Sequence, residues 1–167
     1  MTLQETIDSP AAHAAQPASF HDLMASIGYL LFQWSLLDRT LDDEIARLRR
    51  AGGELGDPAT RTRTINERLA EWRALIERGR RRASDRDAIE SVATRIQDYQ
   101  RLRNLVATGF VSAASGPDAP SIRCAHGTTR RGVADEVRMS AGDIVDTIDA
   151  IELCRSEMAL LRDLGGR

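Results

Sequence analysis

Arg103 is the residue whose type and position carry the most chemical information in this chain. Apolar residues recur every three or four positions around it, and this spacing predicts a helix from Ser84 whose buried stripe includes Arg103. A desolvated guanidinium without a partner would cost several kcal/mol, so Arg103 requires a carboxylate, a partner chain or an anionic ligand. Two interpretations are open. One is a salt bridge within the protein, for instance to Asp38 or Asp42; the other is an arginine in a cleft between subunits, where its fork binds phosphate.

The other reactive residue types exclude several kinds of chemistry. All 23 cationic side chains are arginine, which removes lysine nucleophiles, Schiff bases and P-loop lysines. Cys124 and Cys154 are too few and too far apart for a metal knuckle or a disulfide scaffold, and we expect both to be reduced and buried. His13, His21 and His126 are scattered rather than set at ligand spacing. The sequence therefore predicts neither a metal nor another cofactor.

Charge is distributed unevenly along the chain. The net charge of -2 gives no overall field that directs the protein to nucleic acid or an anionic membrane. The stretch from Arg61 to Asn104 holds twelve arginines and seven acids, whereas the rest of the chain is acidic. Within it, the run RGRRR around Gly79 falls at a predicted helix C-terminus, where capping is favoured over phosphate binding. On the first helix, Asp38 and Asp42 share one face and are able to pair with arginines of neighbouring helices.

Hydropathy indicates a cytoplasmic protein with no membrane contact. The longest apolar run, from about Ile27 to Phe32, is far shorter than the roughly 20 residues of a membrane span. No basic start followed by an apolar stretch opens the chain, so no signal peptide is predicted. Trp34 and Trp72 lie on helical stripes, where core anchors are expected rather than stacking platforms.

Four helices are predicted to position Arg103. Residues 1–18 mix proline, alanine and polar residues without periodicity and predict a disordered N-terminal tail. The first helix runs from Phe20 to a stop at Gly52 and Gly53, with an N-cap formed by Ser19 and Asp22. At 1.5 Å per residue it would be roughly 48 Å long.

Residues 19–167 are predicted to form one all-α domain. A second helix carries Trp72, and a last helix begins after a cap at Ser140 and Asp143. Before it, apolar and polar residues alternate in SIRCAHG and GVADEVRMS, on either side of GTTRRG, and predict a small β-hairpin. Short loops between the helices favour an up-and-down four-helix bundle with this hairpin inserted before the last helix.

The segment LRNLVATGF, from Leu102 to Phe110, resembles the signature of the HEPN-like superfamily of helical-bundle proteins. In that signature an arginine, commonly followed by asparagine or another polar residue, precedes a histidine by four to six positions. The resemblance extends to QWSLLD on the first helix and to the order of helix, helix, motif helix, hairpin and helix, over about residues 20–164. It implies a helical domain that dimerises with its motif helices facing each other. Many such proteins cleave RNA without metal in bacterial toxin and defence systems, and others bind RNA or scaffold assemblies.

By position, Arg103 resembles the motif arginine and Asn104 its polar neighbour. In nuclease members a general base removes the ribose 2′-hydroxyl proton, and the arginine stabilises charge that develops on phosphorus. Thr108 occupies the place of the histidine, and its hydroxyl has no useful basicity near pH 7. Loss of a general base typically lowers the rate by a factor of roughly 10² to 10⁴. His126, on the predicted hairpin, is the remaining candidate for a substitute base, although an exposed strand histidine is its ordinary role.

The sequence therefore predicts a homodimeric HEPN-like module with a degenerate ribonuclease motif. Its expected role is to bind RNA or a protein partner, or to regulate, in bacterial defence or toxin–antitoxin systems, without a small-molecule cofactor. One alternative is a metal-independent endoribonuclease that uses Arg103 and Asn104 with an atypical base such as His126. The other is a structural helical bundle without a ligand, in which Arg103 makes an internal salt bridge.

Overall fold

The chain folds into four helices with a small antiparallel sheet before the last one. The structure, a computed structural model, describes residues 19–53, 63–78, 83–114, 120–126 and 135–164. The predicted tail, residues 1–18, and residues 79–82 of the arginine run lie outside these ranges, whereas Arg78 is the last residue of α2. The elements are α1 (Phe20–Ala51), α2 (Ile65–Arg78), α3 (Ala83–Thr108), β1 (Phe110–Ala114), β2 (Ser121–His126), β3 (Asp135–Ser140) and α4 (Ala141–Leu164).

Both predicted capping boxes are present. At the start of α1, the Ser19 amide donates to the Asp22 carboxylate at 2.8 Å, and the Asp22 amide donates to the Ser19 hydroxyl at 3.2 Å. Ser140 and Asp143 repeat this pattern before α4 at 2.7 and 3.2 Å. Because these carboxylates accept hydrogen bonds from the backbone and side chain of the serine, the pKa values of Asp22 and Asp143 lie below the ordinary range.

Side-chain pairs between α1 and α4 show that these two helices run in the same direction. Gln33 hydrogen-bonds to Glu152 and Arg155, and farther along both helices Glu44 pairs with Arg162. Positions therefore increase together along α1 and α4. In an up-and-down bundle of four helices, the first and the fourth would run antiparallel.

Side-chain pairs of α3 show the direction in which this helix runs relative to α2 and α4. α3 runs antiparallel to α2, because Asn66 pairs with Gln97 and Arg73 pairs with Glu90. It also runs antiparallel to α4, where Arg95 pairs with Glu157 and earlier residues of α3 lie beside later residues of α4. It follows that α1, α2 and α4 share one direction and only α3 opposes them, so the predicted up-and-down alternation is wrong.

The length of the connection between α1 and α2 explains the difference. Nine residues separate Gly53 from Arg63, and such a segment spans at most roughly 35 Å. The 14 residues of α2 extend over only about 21 Å. The chain is therefore long enough to return beside α1 before α2 begins, and loop length alone does not require an antiparallel neighbour.

The predicted hairpin is confirmed as β2 and β3, and a third strand extends it. The sheet has the order β1-β2-β3 with both pairs antiparallel. Ile122 of β2 and Met139 of β3 are opposite each other and buried against the helices. The sequence does not predict β1. This strand pairs with β2, and the register of the pair shifts between Phe110 and Ser112. The helices and the sheet share one hydrophobic core, in which Trp34 and Trp72 are buried as predicted.

Gly109 joins α3 to the sheet at a point of close backbone approach. Its amide donates to the Leu105 carbonyl, and its carbonyl accepts from the Ala125 amide, both at 2.8 Å. A Cβ atom at this position would lie 2.7 Å from the carbonyl oxygens of both Leu105 and Ala125. Glycine is therefore required here because no space is left for a Cβ atom.

Candidate functional site

The motif segment lies at an end of the molecule that α2 does not reach. Arg68, near the start of α2, pairs with Asp38 of α1, and the neighbouring Asn66 pairs with Gln97 of α3. The residues of α1 before Asp38 and those of α3 after Gln97 therefore extend beyond the start of α2. Among the described elements, α1, α4 and the sheet accompany α3 at this end.

Arg103 is half-buried in this region and has no ion-pair partner in the described part of the chain. Its Nη1 donates to Oδ1 of the neighbouring Asn104 at 3.0 Å. Its Nε is buried and has no hydrogen-bond acceptor. An unsatisfied buried donor costs about 1–3 kcal/mol. The guanidinium thus retains donors for an acceptor that the described residues do not supply.

Of the two interpretations of Arg103, the salt bridge to Asp38 or Asp42 is not formed, because Arg68 binds both carboxylates. Arg68 is buried, and its Nη1 donates to Asp42 at 2.8 Å while its Nη2 donates to Asp38. Burial opposes the charge of Arg68, but the hydrogen bonds to Asp38 and Asp42 outweigh it and raise its pKa. The predicted pairing of these two aspartates with an arginine of a neighbouring helix is confirmed.

Asn104 and Thr108 are exposed on the same side of α3, one turn apart. The Thr108 hydroxyl donates to the Asn104 carbonyl at 2.8 Å, the usual back-bond of a helical threonine. A hydroxyl bound in this way has neither the basicity nor the free orientation of a general base. The position that corresponds to the motif histidine therefore offers no proton acceptor.

His126 is the last residue of β2, and the sheet brings its backbone close to the motif. The preceding residue, Ala125, donates its amide to the carbonyl of Gly109, which directly follows Thr108. The end of β2 and the end of the motif segment are thus hydrogen-bonded neighbours. The side chain of His126 lies outside the described part of the structure.

The half of α1 that α2 does not cover presents an apolar surface. No charged residue occurs between Asp22 and Asp38. Phe20, Met24, Tyr29 and Phe32 are exposed by 44, 43, 47 and 55%, and we call these four side chains the α1 apolar face. The rings of Tyr29 and Phe32 are stacked with centroids 6.2 Å apart. A patch of exposed apolar side chains of this kind marks an interaction surface.

A polar cluster next to this face joins α1 to α4, and the sequence analysis does not identify it. Gln33 is only 4% exposed; its amide nitrogen donates to the Tyr29 hydroxyl at 2.6 Å and to Glu152. Its amide oxygen accepts from Arg155 at 3.0 Å. Arg155 also has a buried Nε without a partner, but Gln33 links it to the carboxylate of Glu152. The available signal was a single amide within an otherwise apolar stretch of helix.

Both cysteines are buried and unbonded, as predicted. Burial raises the pKa of the Cys124 thiol, and it raises that of Cys154 to about 11. Neither is therefore activated as a nucleophile near neutral pH. Within the described ranges, no group of three or more histidine, cysteine or acidic side chains is arranged to hold a metal ion. None of the helices in these ranges has the length and apolar character that crossing a membrane requires.

Comparison of the chain with protein-family models, with curated proteins and with solved structures finds no match. Arg103 and its surroundings are therefore the main source of functional information in this chain.

Proposed function

We propose that this protein is a homodimeric, HEPN-like helical module that binds RNA through Arg103 without cleaving it. In this proposal it serves as a binding or regulatory component of a bacterial defence or toxin–antitoxin system. The observation that carries the proposal is the state of the Arg103 guanidinium, which is half-buried, has an unpaired Nε and has no carboxylate partner among the described residues. An anionic ligand would complete its surroundings.

A phosphodiester matches the hydrogen-bonding groups at this site. The fork of an arginine binds phosphate oxygens through two parallel hydrogen bonds. Since Asn104 accepts from Arg103 through its Oδ1, its amide nitrogen remains to donate to a phosphate or a ribose hydroxyl. Thr108 supplies no base beside these donors, which supports binding without cleavage.

The α1 apolar face supports the homodimer. Half of each of its four side chains is exposed, which leaves on the order of 400 Å² per copy at roughly 200 Å² for a large side chain. Two copies would bury at most about 800 Å² from these side chains, and the flanking residues would bring the total near the roughly 1,000 Å² that a biological interface should exceed. The face carries no charge, so two identical copies meet without like-charge repulsion. It lies beyond the start of α2, as Arg103 does.

The test of RNA binding is an Arg103→Met substitution. We expect the affinity for a single-stranded RNA oligonucleotide, measured by fluorescence anisotropy, to fall roughly tenfold with the loss of one charge-assisted contact. Arg101→Met is the matched control, because Arg101 is two residues away and its side chain is 78% exposed. Equal affinities for the Arg103 variant and the control would contradict the proposed role.

The test of the dimer is sedimentation of a Phe32→Asp variant. We expect this variant to be monomeric and folded, whereas Leu160→Asp, at a 64% exposed position on α4, should sediment with the wild type. A wild-type protein that sediments as a monomer would contradict the proposed assembly.

The hydrogen bond between Ala125 and Gly109 favours a second candidate function, a metal-independent endoribonuclease with Arg103, Asn104 and His126. It predicts RNA cleavage in EDTA that Arg103→Ala abolishes and His126→Ala slows without loss of fold. Cleavage at an unchanged rate in the His126 variant would dismiss that residue.

A further inference from the structure

Two arginines lie directly opposite each other on the sheet. Arg123 of β2 and Arg138 of β3 are cross-strand partners, and both are exposed. Their neighbours in the strands, Ile122 and Met139, are buried against the helices, so the alternation of side chains places both arginines on the outer surface. Like charges at directly opposite positions weaken the pairing of two strands. Their presence is therefore unexplained by the stability of the sheet.

A serine hydroxyl orients each of these guanidinium groups. Nε of Arg123 donates to the hydroxyl of Ser112 at 3.0 Å, and Nε of Arg138 donates to that of Ser121 at 2.8 Å. Because each Nε is engaged in this way, the terminal nitrogens are left to contact a ligand. The serines limit the freedom of both side chains, and an arginine ordered beforehand loses less entropy on binding.

Only one carboxylate among the described residues lies close to the two cations. Glu136 of β3 is 3.4 Å from Nη1 of Arg123, and both side chains are about half exposed. Such an exposed pair contributes little to stability. Arg138 has no carboxylate partner in the described part of the chain. Arg123 and Arg138, taken together with Glu136, therefore keep a net positive charge.

We propose that Arg123 and Arg138 form a binding site for a chain of phosphate groups, distinct from the Arg103 site. Two adjacent forks match the oxygens of successive phosphates. Both arginines lie on an open strand surface and not in an enclosed cavity, an arrangement suited to an extended polyanion. The expected ligand is an RNA backbone, and this identity rests on the proposed function; the anion site itself rests on the arginine pair. Glu136 would weaken the binding by repelling phosphate.

The test compares two double variants with the same change in net charge. The first, which we call the sheet variant, combines Arg123→Gln with Arg138→Gln. The control combines Arg39→Gln with Arg101→Gln, and Arg39 and Arg101 are both exposed on helices. The affinity for a single-stranded RNA oligonucleotide is measured over a range of salt concentrations. For single strands, each phosphate contact contributes about 0.7 to the slope of log affinity against log salt. The magnitude of this slope should therefore be about 1.4 smaller for the sheet variant than for the control. Glu136→Gln should bind RNA several-fold more tightly than the wild type.

The outcomes separate this inference from the proposed function. A sheet variant that matches the control, with its circular dichroism unchanged, overturns the inference, and the Arg103 site is then judged by Arg103→Met alone. If the sheet variant loses RNA affinity while Arg103→Met does not, the inference stands and the proposed role of Arg103 is wrong. Inorganic polyphosphate is the second probe. If the protein binds polyphosphate but not RNA, and the sheet variant loses polyphosphate affinity, the anion site stands and the RNA-binding function is wrong. If the protein binds neither probe, both proposals are wrong.

Discussion

Arg68 and Arg103 are both arginines on the inner side of a helix, and each has a buried Nε without a partner. Arg68 is neutralised by Asp38 and Asp42, whereas Arg103 is held only by the amide of Asn104. Arg155 is intermediate, since Gln33 connects it to a carboxylate. Among the described residues, carboxylates therefore neutralise Arg68 beside α2, whereas none forms an ion pair with Arg103 beyond the start of α2. In the proposed function, this difference distinguishes Arg103 as the arginine that binds an external anion.

The largest expected effect comes from supplying a base beside Arg103. Thr108→His restores the residue that the HEPN-like motif has at this position, and we expect RNA cleavage in EDTA to increase by roughly 10² to 10⁴. Thr108→Ala is the control for the loss of the hydroxyl, and addition of Arg103→Met to Thr108→His should remove the gained activity. If Thr108→His cleaves RNA no faster than the wild type, the resemblance does not extend to the chemistry of the site.

A smaller effect is expected on stability. Arg68→Met leaves two carboxylates without their partner, which costs 3–5 kcal/mol for a buried pair. Because the side chains of Asp38 and Asp42 are 37 and 32% exposed, we expect a loss of only about 2 kcal/mol in the free energy of unfolding. Arg103→Met breaks no ion pair and removes a buried donor that has no acceptor, so it should not lower the free energy of unfolding. Urea denaturation followed by circular dichroism measures both, and equal losses would contradict the distinction between the two arginines.

The smallest effect concerns the reactivity and titration of Cys154. Burial raises its pKa from 9.0 to about 11, so folding favours the protonated thiol. The corresponding stabilisation is complete below pH 9 and is lost as the pH rises towards 11. At pH 8, labelling by a disulfide reagent requires local opening, which Arg68→Met should accelerate roughly tenfold and Arg103→Met should leave unchanged. Acceleration by Arg103→Met would show that this residue, too, stabilises the helices.

Sequence patterns predict those parts of the fold that depend on neighbouring residues. The caps at Ser19 and Ser140 involve contacts over three residues, so their positions follow from local sequence alone. The direction of α2 depends on long-range ion pairs with α1, such as those of Arg68 with Asp38 and Asp42, and a connection of this length allows both directions. β1 was missed because its partner β2 follows an intervening loop and its segment, FVSAA, has no clear alternation.

The candidate site was predicted in part for the same reason. Helical spacing placed Arg103 on the inner side of α3, but the choice of carboxylate partner depends on the packing of three helices. Arg68 was missed even though it lies three residues after Ile65 and four before Trp72, on the buried stripe of its own helix. An arginine on a buried stripe requires a carboxylate partner, so the position of Arg68 predicts that it competes with Arg103 for Asp38 and Asp42.

The contact of Gly109 with two carbonyl groups has a consequence for the tolerance of this chain to mutation. A library that samples every amino acid at this position should retain only glycine, since the Cβ atom of any other residue would push β2, at Ala125, away from the end of α3. Such a displacement would also separate the backbone of His126 from Thr108. Selection for folding alone would then preserve the spacing between these two residues, whether or not either of them takes part in a reaction.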